Sequence, residues 1–262
     1  MIQAVQFVNS LAADVHAELT ASPKSLPPKY FYDTRGSALF DEITRLPEYY
    51  LTRAERGLLT RHADEIASST RAETLIELGS GTSDKTRLLL DALQRRGTLR
   101  RFVPVDIDAD MLAEASACVA AEYPGLDVQP VVGDFERHEA FLAPGRRRLL
   151  LAFLGSTIGN LEPARRASFV ARVRASLSAG DAFPLGTDLV KDPARLIAPT
   201  VTRRVSPRCS TAMCSPSSIV SSVPVFSSTH LSTSRCGTRR TSGLRCGCGP
   251  SAARSSTSRL ST

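Results

Sequence analysis

From Pro199 to Thr262 the chain has no Asp and no Glu, although the 262 residues as a whole contain 26. The same stretch holds nine of the 33 Lys and Arg, all of them Arg, so the formal charge of +7 belongs to it alone. Residues 1–198 keep 24 basic and 26 acidic side chains, a balance of −2. That balance excludes a basic, polyanion-binding character for the first part of the chain, and no nucleic acid is expected as its partner. Cysteine is scarce in the same way. Cys118 stands alone before Pro199, and Cys209, Cys214, Cys236, Cys246 and Cys248 all follow it. A single Cys excludes a disulfide scaffold and points to a reducing, cytoplasmic setting. Cys118 lies in a helical pattern and is expected as a small core residue. No basic residue precedes the apolar start "MIQAVQFVNSLAADVHAEL", which argues against a secretory signal. No apolar run approaches the ~18 residues of a membrane span, so no membrane partner is expected. There is no internal repeat.

What is present falls into three parts. Residues 1–71 read as a helical segment. Its first 22 residues form a lead-in helix, and "SPKSLPPKYFYDTRGS" is a loop too rich in Pro, Gly and Ser for regular structure. "SALFDEITRLPEYY" and "TRAERGLLTRHADEIAS" then place apolar residues three and four apart, as amphipathic helices do. Residues 72–198 alternate. Strands are expected at "ETLIEL", "RFVPVDI", "LDVQPVV", "RRLLLAFLG" and "DAFPLGTDLV", with helices between them, a pattern of βαβ units and a largely parallel sheet. Pro184 sits badly in the fifth strand, because proline removes a ladder hydrogen bond. Residues 199–262 form the third part.

Chemistry concentrates where strands end. "TLIELGSGTSDKT" puts Glu77 at the end of a strand and Gly79 and Gly81 in the turn before a helix, where backbone can approach a ligand closely. The dinucleotide fingerprint requires a third Gly at the position of Asp84, a carboxylate where a pyrophosphate would lie, so NAD is disfavoured. S-adenosylmethionine (SAM) has no phosphate and carries a sulfonium and an amino group that Glu77 would favour. Asp106, after the second strand, suits the ribose hydroxyls; Asp134 and Phe135, after the third, suit the adenine amino group and ring face. Taken singly, each carboxylate is a solvated strand end. Three at successive strand C-termini, where open α/β sheets bind ligands, make SAM the expected cofactor. No metal is expected.

"KSLPPKYFYD", "LFDEITRLPEYYLTRAE", "ELGSGTSDKTR", "FLGSTIGNLEP" and "LGTDLVKD" resemble the bacterial L-histidine Nα-methyltransferases of ergothioneine biosynthesis. The resemblance runs from about Ser22 to Ala198. It implies a Rossmann-like class I SAM-dependent methyltransferase sheet preceded by a helical segment. It also implies three methyl transfers from SAM to the α-amine of histidine, in a monomer. On matching positions it assigns Gly79, Lys85, Asp106, Asp134 and Phe135 to SAM, and Tyr49 and Asn160 to the amino and carboxylate groups of histidine. Without it, Tyr49 reads as a packed helix-end residue and Asn160 as a turn residue. No catalytic residue is assigned. Alternatives are a methyltransferase for another amino-acid amine, a non-catalytic SAM-binding protein, and an Arg-rich nucleic-acid binder.

Three readings fit residues 199–262. A zinc site lacks paired Cys-x₂-Cys spacing, and a nucleic-acid arm would be disordered by composition. The third is a shifted reading frame. Restoring one nucleotide ahead of Pro199 allows codons for "YGDAAGVTA" and later "VDAFEHVAVWDAENEWIEMRLR", which resemble the family's next segments. On this reading the tail is a disordered by-product and the last two strands are missing. A substrate-binding Tyr of the family then falls at Thr200, and the residues that grip imidazole are lost.

Overall fold

Five short strands, every one parallel to its neighbour, carry the structure, a computed structural model that describes residues 2–22, 24, 26–137 and 148–190 and two short strands beyond them. β1 (Thr74–Leu78) lies between β2 (Arg101–Asp106) and β5 (Leu149–Phe153). β3 (Asp127–Val128) and β4 (Val131–Val132) both pair with β2 on its far side. The sheet therefore changes direction of winding at β1, and the loop after β1 opens at the switch point where such sheets bind ligands. The expected third strand is two pieces rather than one, because Gln129 and Pro130 interrupt it. Proline has no N–H for the ladder.

The expected fifth strand is reduced to bridges beside β5, at Ala182 and Leu185. Leu151 N–H donates to Ala182, Phe153 N–H to Pro184, and Gly186 N–H to Phe153. In that alternation the one donor lacking is residue 184, the proline. The disordered tail and the shifted frame concern residues 199–262, which lie outside the described residues apart from a two-residue antiparallel ladder. Its strands are β6 (Ser232–Thr233) and β7 (Cys248–Gly249).

Both faces of the sheet are covered, so β1 and β5 are buried at every position. On one face Leu75, Phe102 and Leu150 meet α3 (Leu51–Thr70), α4 (Arg87–Arg95) and α5 (Ala109–Glu122). On the other, Ile76, Val103, Leu151 and Phe153 meet Phe169 and Val173 of α6 (Pro163–Ser176). Helix α5 buries Leu112, Ala115, Ser116 and Val119. Cys118 falls off that stripe and is exposed, not in the core.

The helical segment begins with α1 (Ile2–Thr20). The expected irregular loop after it contains a 3₁₀ turn at Pro28–Phe31 and then the start of α2 (Thr34–Thr44). Asp33 caps α2 by accepting the Gly36 N–H at 2.7 Å, a local bond that lets a helix begin amid Pro and Gly. Among the described residues no helix is long and apolar enough to cross a membrane.

Candidate active site

The carboxyl ends of β1, β2, β4 and β5 converge on one edge of the sheet. After β1 the chain turns through positive φ at Gly79 (66°), Gly81 (52°) and Ser83 (55°). Gly79 and Ser80 donate their N–H groups to Val105 at 2.8 and 3.1 Å, fastening the turn to β2. A Cβ on Gly79 would make only an ordinary contact with the Phe135 ring, at 3.8 Å, so it is the positive φ of the turn rather than the ring that calls for glycine at Gly79. Phe135 is held there by edge contacts to Phe153 (5.1 Å) and Phe169 (6.0 Å). Asp84 faces away, 58 % exposed, with Arg87 3.4 Å from it.

Glu77 is buried under this turn, and its Oε2 has no hydrogen-bond partner among the described residues. Burial pushes its carboxyl up to about 8, against the pull of Thr86 and the Lys85 charge, with Asp106 and Glu55 adding repulsion. An unpaired buried carboxylate is costly unless a cation joins it. Asp106, at the end of β2, accepts the Gly81 N–H on Oδ2 at 2.8 Å and the Ile107 N–H on Oδ1 at 2.7 Å. Burial raises its carboxyl despite those bonds. Beside it is a cavity of about 220 Å³, between Ile107–Asp110 and the segment carrying Lys29, Tyr30, Tyr32 and Asp33. Asp134 is buried and takes Lys29 Nζ at 2.7 Å.

A second group of residues meets at the end of β5. Glu55 heads the buried stripe Glu55, Leu59, Ala63, Ala67 of α3, so the spacing that packs the helix also delivers a carboxylate to the sheet edge. That carboxylate accepts the Gly155 N–H at 2.8 and 3.0 Å and pairs with Lys85 Nζ. Tyr49 is half-buried, its ring edge-on to Phe40 at 6.0 Å. Burial first, then the charges of Glu55 and Asp188, push its hydroxyl up to about 12. Asp188 accepts from Tyr50 Oη, and its own N–H donates to Ser156 Oγ at 3.0 Å. Ser156 opens the 3₁₀ turn Thr157–Asn160, whose last residue, Asn160, is exposed.

Six of the seven residues that the resemblance assigns, and Glu77 with them, thus line one edge through shared contacts or charges. Asn160 is on the same edge, but no described side-chain bond ties it to the others. Sequence reasoning missed Glu55, Asp188 and Lys29. All three lie within quoted blocks, Lys29 in "KSLPPKYFYD", Glu55 at the end of "LFDEITRLPEYYLTRAE" and Asp188 in "LGTDLVKD", and the alignment of Glu55 with Leu59 and Ala63 is the signal of its burial.

Comparison with known proteins agrees in extent with this architecture. A histidine-specific, SAM-dependent methyltransferase family matches residues 11–199. The Histidine N-alpha-methyltransferases of Mycobacterium tuberculosis and Mycolicibacterium smegmatis are 56% identical over 188 residues, 72% of this chain and 58% of theirs. Ergothioneine biosynthesis protein 1 of Neurospora crassa is 35% identical over 178 residues, 66% of this chain and 20% of that protein. Among solved structures, magnesium protoporphyrin IX methyltransferase of Synechocystis, with bound SAM, aligns at 11% identity and TM-score 0.43, covering 59% of this chain and 74% of that one. The chain spans less than two thirds of the mycobacterial relatives' length. With the glycine turn at the sheet's switch point and a family match over residues 11–199, the chain belongs to the histidine-specific, SAM-dependent methyltransferase family.

Proposed function

We propose that this chain carries the SAM-binding part, and part of the substrate site, of an enzyme that methylates the α-amine of L-histidine three times. The observation that carries the reading is Glu77: a buried carboxylate with an unpaired oxygen, beneath a glycine turn and beside Lys85. Such a group fits a ligand that is cationic at one point and anionic at another. SAM supplies a methyl group on a cationic sulfur, and transfer to a neutral amine moves that charge to nitrogen.

The chain's own residues would divide the ligand between them. Glu77 supplies negative potential toward the cationic part, and Gly79 admits close approach. Lys85 suits the carboxylate, Asp106 the ribose hydroxyls, and Asp134 and Phe135 the adenine. Tyr49 and Asn160 suit the amino and carboxylate groups of histidine. Tyr49 keeps its proton at neutral pH, so it serves as a hydrogen-bonding group and not as a base. No metal is invoked. Alignment of the amine accounts for most of the acceleration, worth about 7–11 kcal/mol in favourable cases.

The family match ends at residue 199, where acidic residues also cease, and this coincidence supports a shifted frame from Pro199 onward. The test is to titrate the 262-residue chain with SAM, then follow trimethylhistidine by mass after adding histidine. Binding without turnover is expected, with turnover once one nucleotide is restored before codon 199 in a full-length gene. Failure to bind SAM would overturn the site; robust turnover by the chain as it stands would overturn the shifted frame.

A further inference from the structure

Glu55 is buried, yet it belongs to none of the groups just assigned to a ligand. Its carboxylate joins three separate pieces of the sheet edge. It pairs with Lys85 on the β1 loop, and it takes the Gly155 N–H through both oxygens at 2.8 and 3.0 Å. It also presses on Gly186, where any Cβ would collide with the carboxylate. The Lys85 ammonium is itself confined, 3.7 Å from where a Gly155 Cβ would lie, with its side chain 19 % exposed and that of Glu55 10 % exposed. Lysine is a flexible point charge with three rotatable donors, so a buried partner that is itself anchored fixes where the ammonium sits. Gly155 N–H provides that anchorage.

We propose that Glu55 is a positioning residue of the cofactor site, holding the Lys85 ammonium where it reads the carboxylate of the ligand's amino-acid end. This rests on the proposed SAM site, and on Lys85 meeting the one anionic group that SAM possesses. Glu55 acts through Lys85 and touches no ligand. Its second effect is on selectivity: with Lys85 fixed, the site distinguishes ligands that bear the amino-acid chain from adenosyl compounds that lack it.

The test compares two probes by equilibrium titration of the 262-residue chain. S-adenosylhomocysteine has the amino-acid carboxylate, and 5′-methylthioadenosine does not. Glu55→Gln retains an oxygen for the Gly155 N–H and removes the charge that holds Lys85. It should weaken S-adenosylhomocysteine roughly tenfold, the worth of one charge-assisted hydrogen bond, and leave methylthioadenosine unchanged. Equal losses for both probes, or tighter S-adenosylhomocysteine binding, would overturn the proposal. Lys85→Met alone checks the underlying site, since an unchanged preference between the probes would mean that Lys85 reads no carboxylate. Should Glu55→Gln fail to fold, the double variant Glu55→Gln/Lys85→Met, in which neither member of the Glu55–Lys85 pair keeps a charge, replaces it. The double variant is expected to match Lys85→Met in affinity for S-adenosylhomocysteine. A further tenfold loss in it would show Glu55 acting independently of Lys85, which also overturns the proposal.

Discussion

Glu77, Asp106 and Asp134 are legible in the sequence because each closes or follows a short apolar run, the place where a parallel sheet exposes its ligand-binding edge. Glu55 is legible only faintly, through its alignment with Leu59 and Ala63. In a helix recognised by its apolar spacing, an acid at the head of the stripe looks like any solvent-facing charge. Cys118 is misjudged for the reverse reason: Val119 takes the core position, and the next residue round the helix faces water. The buried Glu77 gives a pH dependence with a definite sign. Its carboxyl keeps a proton in the folded chain up to about 8, whereas the unfolded chain releases it near 4.5. Its protonated form therefore supports stability fully below about 4.5, and that support is lost as pH rises toward 8. Urea unfolding of the ligand-free chain should show stability falling across this window, and Glu77→Gln should flatten the slope. A cationic ligand reverses the preference, so SAM binding at pH 7 should release a proton. Calorimetry in buffers of different ionisation enthalpy reads that proton directly, and buffer-independent heats would exclude it.

At the scale of elements, the order of strands and helices follows from apolar runs alternating with amphipathic stretches, and the structure has that order. Strand continuity does not follow, because apolar spacing ignores donors. Pro130 and Pro184 each sit in a run of acceptable hydrophobicity, and each interrupts a ladder. Most of helix α2 is legible from the apolar spacing of "SALFDEIT"; only its first turn is hidden among Pro and Gly, and the Asp33 cap marks where it starts. Replacing Asp33 with Ala should cost about 1 kcal/mol in thermal or urea unfolding. Helix α6 is coupled to the site through a ring: Phe169, 1 % exposed, lies 5.2 Å from Phe153 and 6.0 Å from Phe135. Phe169→Ala should cost about 3–5 kcal/mol. It should also weaken SAM binding, since Phe135 loses a wall that keeps it over Gly79. Undiminished affinity in a destabilised variant would show that Phe135 is held without α6.

Over the whole molecule, charge is divided between two regions and should act separately in them. Residues 1–198 are slightly acidic, so any retention on heparin should vanish when residues 199–262 are deleted; persistent, salt-sensitive retention would contradict that division. The helical segment is tied to the sheet by buried ions. Lys29 bridges Asp134 at 2.7 Å and Asp14 at 3.4 Å, and Asp14 also takes Arg137 Nη2 at 2.6 Å and Tyr30 Oη at 2.6 Å. Lys29→Met leaves two buried carboxylates short of a partner and should cost about 3–5 kcal/mol in urea unfolding. A loss below 1 kcal/mol would mean that Arg137 suffices. The same bridge has a consequence for synthesis. Lys29 and Asp134 are 105 residues apart, and Asp14 and Arg137 are 123 apart. On a ribosome adding about 5–20 residues per second, α1 leaves the exit tunnel and waits roughly 5–20 s for the acid that will hold its connecting turn. During that interval Leu11 and Val15, both buried in the finished fold, lack the later-made residues that α1 packs with. A helix made early is thus among the last to find its place, and nascent-chain chaperones would meet it with Leu11 and Val15 uncovered.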